Sequence, residues 1–131
     1  MRNRVGVLVV ARQGRLRGTL NALLKAMPQV ETVENVDDGS AAMSAFAGTS
    51  PALVVLGSNL TDDANLATLQ QIKIKWPQTR CILLADDIEQ QRAARAGGAD
   101  VVLLRGFPIT QFFAAVERLL PDTSGGGEEA R

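Results

Sequence analysis

The sequence predicts an α/β fold: a five-stranded parallel sheet, doubly wound, with helices on both faces. Three observations predict it. Short apolar runs of strand length recur five times along the chain, and each is followed by a segment with helical periodicity or helix-capping residues. Most of these runs are apolar throughout rather than alternating, which is the pattern of strands buried on both faces. Strict strand-helix alternation requires crossover connections of one hand, and these bring successive strands into parallel register. For five such units the expected strand order is 2-1-3-4-5, with a crevice at the C-terminal ends of the first and third strands.

Each element has its own justification. Val5-Gly6-Val7-Leu8-Val9-Val10 is the first continuous apolar run. Between Gln13 and Met27, Leu16, Leu20, Leu23, Leu24 and Met27 recur at helical spacing and form one stripe, which Pro28 stops. Val30 to Val36 alternates apolar and polar residues (Val30, Thr32 or Val33, Val36), as an edge strand does. Asp37-Asp38-Gly39-Ser40 supplies turn and capping chemistry for an alanine-rich helix with Met43 and Phe46, ending at Gly48. Leu53-Val54-Val55-Leu56, bounded by Pro51 and by Gly57-Ser58-Asn59, reads as the central strand. Asp62 or Asp63 caps a helix running to Trp76, with Leu66, Leu69, Ile72 and Trp76 on one side and Pro77 closing it. Cys81 to Leu84 is the fourth strand. Asp86-Asp87 caps a short helix that Gly97-Gly98 ends by permitting a left-handed conformation. Val101 to Leu104 is the fifth strand, and a last helix carries Phe112, Phe113, Val116, Leu119 and Leu120 up to Pro121. Residues 1–120 therefore read as one domain, and residues 121–131, with Gly125-Gly126-Gly127, as a flexible tail or linker stub.

Composition narrows the function. A chain of 131 residues with 46% apolar and 21% charged residues is ordinary single-core material. Acidic and basic residues balance at 14 each, so no net field recruits nucleic acid or an anionic membrane. The absence of histidine removes Ser/His/Asp and Cys/His nucleophile systems, histidine metal sites and histidine acid-base catalysis together. Cys81 opens an apolar run, so a packed thiol in a reducing compartment is expected. The basic Met1-Arg2-Asn3-Arg4 precedes an apolar run that is short and lacks a small-residue cleavage site, which favours a strand over a signal peptide. No apolar stretch has membrane-spanning length, and the expected location is the cytoplasm.

Three segments, in this order and spacing, carry a resemblance: Pro51-Ala52-Leu53-Val54-Val55-Leu56, Ala96-Gly97-Gly98-Ala99-Asp100 and Leu103-Leu104-Arg105. From about Arg4 to Leu120 the chain resembles the receiver domains of bacterial two-component response regulators, whose fold is flavodoxin-like. In that family a carboxylate after the third strand is the phosphoryl acceptor, and an acidic pair after the first strand holds Mg²⁺ against the phosphoryl oxygens. A threonine or serine after the fourth strand and a lysine after the fifth bind the aspartyl phosphate. The resemblance matches the acidic pair with Ala11 and Arg12, the acceptor with Gly57, the hydroxyl with Ala85 and the lysine with Arg105, so all five positions have changed. Gly106 stands where the family carries a proline, the nearest being Pro108, and Val102 stands where it carries a switch aromatic. The resemblance thus implies a degenerate form, a pseudo-receiver, with no Mg²⁺ site, no other cofactor and no enzymatic activity. Asp62, Asp63, Asp86 and Asp87 read as helix caps.

Two functional expectations follow. The first is a phosphorylation-independent module for signalling or transcription control, acting by protein-protein contact with a partner, a linked output domain or a second copy of itself. Its expected face combines the fourth helix, fifth strand and fifth helix: Arg92, Arg95, Asp100, Glu117 and Arg118 supply a charged rim, and one of Phe107, Phe112 and Phe113 is left exposed unless a broad buried face covers them. Direct nucleic-acid or membrane contact is not expected. The alternative is a sensor of a small anionic ligand, bound by Arg12 and Arg105 at the vacated crevice, unless these arginines pair with Asp62, Asp86 or Asp87. Flavin binding lacks a hydroxyl-rich loop and flanking aromatics, cobalamin binding lacks a histidine, and no phosphate-binding glycine loop is present. Trp76 is expected at the edge of the core.

Overall fold

In the computed structural model, which describes residues 5–48, 51–57 and 62–120, strand and helix alternate throughout. The order is β1 (Val5–Val10), α1 (Arg15–Lys25), β2 (Val30–Val36), α2 (Gly39–Gly48), β3 (Leu53–Leu56), α3 (Asp62–Lys75), β4 (Arg80–Ala85), α4 (Ile88–Ala96), β5 (Val101–Leu104) and α5 (Ile109–Leu119). The strands pair in parallel in the order β2-β1-β3-β4-β5, as the alternation of elements predicts. The tail beginning at Pro121, and Ser58 to Thr61 after β3, lie outside the described residues.

The sheet divides the core in two because successive strand side chains point to opposite faces. On one face Val7, Val9, Leu53, Val55, Ile82, Leu84 and Leu103 pack with Leu20 and Leu24 of α1 and with Phe112 and Val116 of α5. On the other, Leu8, Val10, Val54, Leu56, Cys81 and Leu83 pack with Phe46 of α2, Leu69 and Ile72 of α3 and Ala94 of α4. Trp76 stacks on Phe46 with ring centroids 4.2 Å apart, which closes the edge of the second half as expected.

Four local differences from the sequence reading have physical reasons. Helix α1 starts at Arg15 rather than Gln13, because Gly14 takes φ 155° and ends the extended connection. In β2 the register slips between Val5 and Gly6: Val5 pairs with Val30 but Gly6 with Thr32, which leaves Glu31 as the extra residue. The slip turns Val33, not Thr32, to the same face as Val30, whereas Val36 packs on the opposite face. Helix α3 already includes Asp62, so Asp63 sits in its first turn and is not the cap. Asp87 alone caps α4, accepting a hydrogen bond from the Gln90 amide, while Asp86 stands outside the helix.

Two close approaches fix the helices. A Cβ on Gly39 would lie 2.0 Å from Thr68 Oγ1 and 3.2 Å from Thr68 Cβ, so α2 and α3 meet where only glycine fits. Thr68 is buried and short, and its hydroxyl donates to the Ala64 carbonyl, so it has little freedom to yield. Gly39→Ala is expected to destabilise the fold by about 1–3 kcal/mol, read as a lower urea midpoint.

The second approach lies at the start of β5. Gly98 at φ 106° turns the chain, and Asp100 then accepts from the Cys81 amide at 2.8 Å and from Lys73 Nζ at 3.1 Å. Lys73 Nζ also donates to the Thr79 carbonyl at 3.0 Å. The neighbouring Cys81 thiol is pushed up to about 12, chiefly by burial, with Lys73 lowering it and Asp100 raising it by smaller amounts. Native protein at pH 8 is therefore expected to resist a thiol reagent that labels the urea-unfolded chain at once. The raised value has a sign for stability. Above the ordinary value of 9.0 the unfolded chain loses this proton while the folded one keeps it, so this contribution to stability falls between about pH 9 and 12. Cys81→Ala is expected to flatten that part of the alkaline slope in urea unfolding.

Candidate functional site

The strand ends at the C-terminal edge of the sheet bring the sequence-predicted positions together. Ala11 follows β1, Gly57 follows β3 and Ala85 ends β4, and all three are buried. The backbone ties them side by side: Gly57 N–H donates to the Val10 carbonyl at 2.9 Å, Ala11 N–H to the Val36 carbonyl at 3.0 Å, and Arg105 N–H to the Ala85 carbonyl at 2.8 Å. What they present is two methyl groups and a glycine, with no side-chain oxygen or nitrogen. Arg12 is exposed beside Ala11.

The polar groups around this edge come from the following turns. Arg105 Nη2 lies 3.4 Å from Asp86 Oδ1, an ion pair whose arginine is largely exposed. Of the pairings considered for Arg105, the one with Asp86 is present. Asp86 Oδ1 is otherwise buried without a hydrogen-bond partner, and the Asp86 amide donates to Gln90 Oε1 at 2.7 Å. Asn65, in the first turns of α3, donates from Nδ2 to the Gly57 carbonyl at 2.8 Å.

Sequence reasoning missed the guanidinium that is fixed here. Arg17 donates through Nε and Nη2 to the Ala11 carbonyl at 3.0 and 2.7 Å, and its Nη2 pairs with Asp37 Oδ1 at 2.6 Å. Arg17 thereby ties the ends of β1 and β2 to the first turn of α1. The available signal was a basic residue in the first turn of α1 with an acid just past the end of the adjacent strand. Asn21 and Asn35 reinforce the same seam with reciprocal amide hydrogen bonds of 2.7 and 2.9 Å.

The face of α4, β5 and α5 forms a groove of about 380 Å³ lined by Gln91, Arg95, Gln111, Arg118 and the residues of β5. Arg92, Arg95, Glu117 and Arg118 are exposed, as the charged-rim reading requires. Asp100 is not a rim charge of that kind, because Lys73 and the Cys81 amide hold it largely buried. None of the three phenylalanines is exposed either. Phe112 is fully buried, and half-buried Phe107 and Phe113 lie against it with centroids 6.3 and 6.5 Å away. The large apolar side chains exposed at this end are instead Ile88 at the start of α4 and Ile109 at the start of α5. Among the described residues no helix is long and apolar enough to cross a membrane.

Comparison with known proteins places this geometry. Neither a protein-family model nor a curated protein matches the chain. Solved structures do match, and they are receiver domains and response regulators. A signal receiver domain of an HD domain-containing protein from Pseudomonas fluorescens Pf-5 superposes with a TM-score of 0.79 at 23% identity, covering 90% of this chain and 88% of that one. The receiver domain of NtrX from Brucella abortus gives 0.76 at 24% identity, covering 87% and 97%. A two-component response regulator of the LuxR family from Aurantimonas sp. SI85-9A1 gives 0.80 at 17% identity, covering 90% and 86%. The chain has the receiver fold.

Proposed function

We propose that this chain is a phosphorylation-independent receiver-like module of a two-component or transcription-control system, acting in the cytoplasm by protein-protein contact and without enzymatic activity or a bound Mg²⁺. One observation carries the reading. The strand ends that would hold a phosphoryl acceptor and its metal carry Ala11, Gly57 and Ala85, whose side chains offer no nucleophile and no oxygen ligand, while the sheet beneath them is fully packed. The partner is another protein, a linked output domain or a second copy, and the α4-β5-α5 groove with Arg95 and Arg118 is the surface proposed to receive it.

The test is incubation with acetyl phosphate and Mg²⁺ followed by intact-mass analysis. No phosphorylated species is expected, and incorporation at any residue overturns the reading. An anionic-ligand sensor at the same edge would need Arg105, for which Asp86 competes. Phosphate and nucleotides are accordingly expected to leave the unfolding midpoint unchanged. A shift that disappears in Arg105→Ala would favour the sensor instead.

A further inference from the structure

We infer that the partner received by the α4-β5-α5 groove is an acidic segment of another protein, carrying carboxylates beside aliphatic side chains, and not a second copy of this chain. The inference rests on the interaction role proposed for that face and names the chemistry of what it meets.

The charge of the groove is one-sided. Arg95 stands in the last turn of α4 and Arg118 in the last turn of α5, and both line the groove of about 380 Å³. They also line a second depression of about 360 Å³ beside Val101 and Val102, so both guanidinium side chains flank the start of β5. A basic residue in a last helical turn complements the helix dipole, which accounts for one such residue in each helix but not for both lining the same groove. Among the described residues neither arginine has an ion-pair partner. Asp100 is the acid that lines the second depression, and it is already engaged: Oδ2 accepts from Lys73 Nζ at 3.1 Å and from the Cys81 amide at 2.8 Å, and Oδ1 lies 3.5 Å from Arg80. The rest of the groove's described lining is amide, from Gln91 and Gln111, and apolar, from β5, Ala114 and Ala115.

These groups select the partner. A guanidinium fork takes a carboxylate through two parallel hydrogen bonds, and the β5 floor between the arginines takes an aliphatic side chain. A second copy docked by two-fold symmetry would set the patch against itself. The rim carries exposed Arg92, Arg95 and Arg118 against exposed Glu117, so self-pairing brings like charges together and is disfavoured. The same excess of positive charge steers an acidic surface in.

The experiment titrates the ¹⁵N-labelled chain at low salt with a short peptide of glutamates and leucines, and with counterparts in which glutamine or lysine replaces glutamate. The acidic peptide is expected to shift the amides of Arg95, Val101, Val102 and Arg118 saturably, and the glutamine peptide to bind at least about tenfold more weakly. In the double variant Arg95→Glu, Arg118→Glu the preference should reverse, with the lysine peptide binding at this face. Both side chains are exposed, and circular dichroism checks that the variant is folded. The same amides are expected not to move when the chain alone is concentrated. Absence of shifts, shifts located elsewhere, equal binding of the glutamine peptide, an unchanged preference in the double variant, or concentration-dependent shifts at these amides would each overturn the inference. Any of these leaves the phosphorylation-independent reading standing, because that reading falls only to acetyl phosphate.

Discussion

Phe112→Ala is expected to cost about 3–5 kcal/mol and to leave little of the chain folded at 37 °C. Phe112 is the largest fully buried side chain and stands where α5 meets the α1 side of the sheet. Phe107 and Phe113 flank its ring and Val116 follows one turn later, so removing the ring strips α5 of its central anchor. The half-buried Phe113 gives the control. Phe113→Ala removes a ring that already keeps part of its surface in water, and it should cost clearly less. Urea unfolding followed by circular dichroism measures both. Equal costs would mean that α5 is held by its whole stripe rather than by one side chain.

Asp100→Ala is the second large effect, expected at about 3 kcal/mol, from a residue that carries no catalytic chemistry. Its carboxylate joins three segments that are distant in sequence: the end of α3 through Lys73, the start of β4 through the Cys81 amide and the start of β5 through its own backbone. Removal leaves the Cys81 amide without its acceptor and a mostly buried ammonium with the Thr79 carbonyl but no countercharge beside it. Exposed Arg80, 3.5 Å away, adds little in high dielectric. Asp100→Asn keeps an acceptor for the Cys81 amide but loses the charge, and it should recover roughly half of the loss. If Asn is as damaging as Ala, the ion pair rather than the backbone bond holds the strand.

The same residue shows what a sequence does and does not reveal. Ala96-Gly97-Gly98-Ala99-Asp100 was legible as a segment that ends a helix and enters a strand, because glycine pairs and a following apolar run leave few options. That Asp100 faces Lys73 was not legible, since the pairing spans a helix and a strand and no local period encodes it. Alternation made the parallel sheet legible, the order 2-1-3-4-5 was the expectation for five units of this size, and the positions at the strand ends followed from the strand boundaries. Arg17 and Asn65 escaped for the opposite reason. Each lies inside a helix whose apolar stripe draws attention, and each acts by reaching back to a carbonyl at a strand end, Ala11 for one and Gly57 for the other. The β2 register was not legible: Val30 to Val36 reads as alternating, with Thr32 or Val33 left open, and the extra residue at Glu31 shows only in the pairing with β1.

That inserted residue bears on solubility. Strand β2 is one open border of the sheet, and its outward positions include the exposed acids Glu31 and Glu34; the opposite border, β5, is only four residues long and lies between two helices. A kinked, negatively charged border is a poor template for an incoming strand from another chain. Recruitment of copies by strand addition, the route that leads from a sheet to an aggregate, is thereby discouraged at both borders.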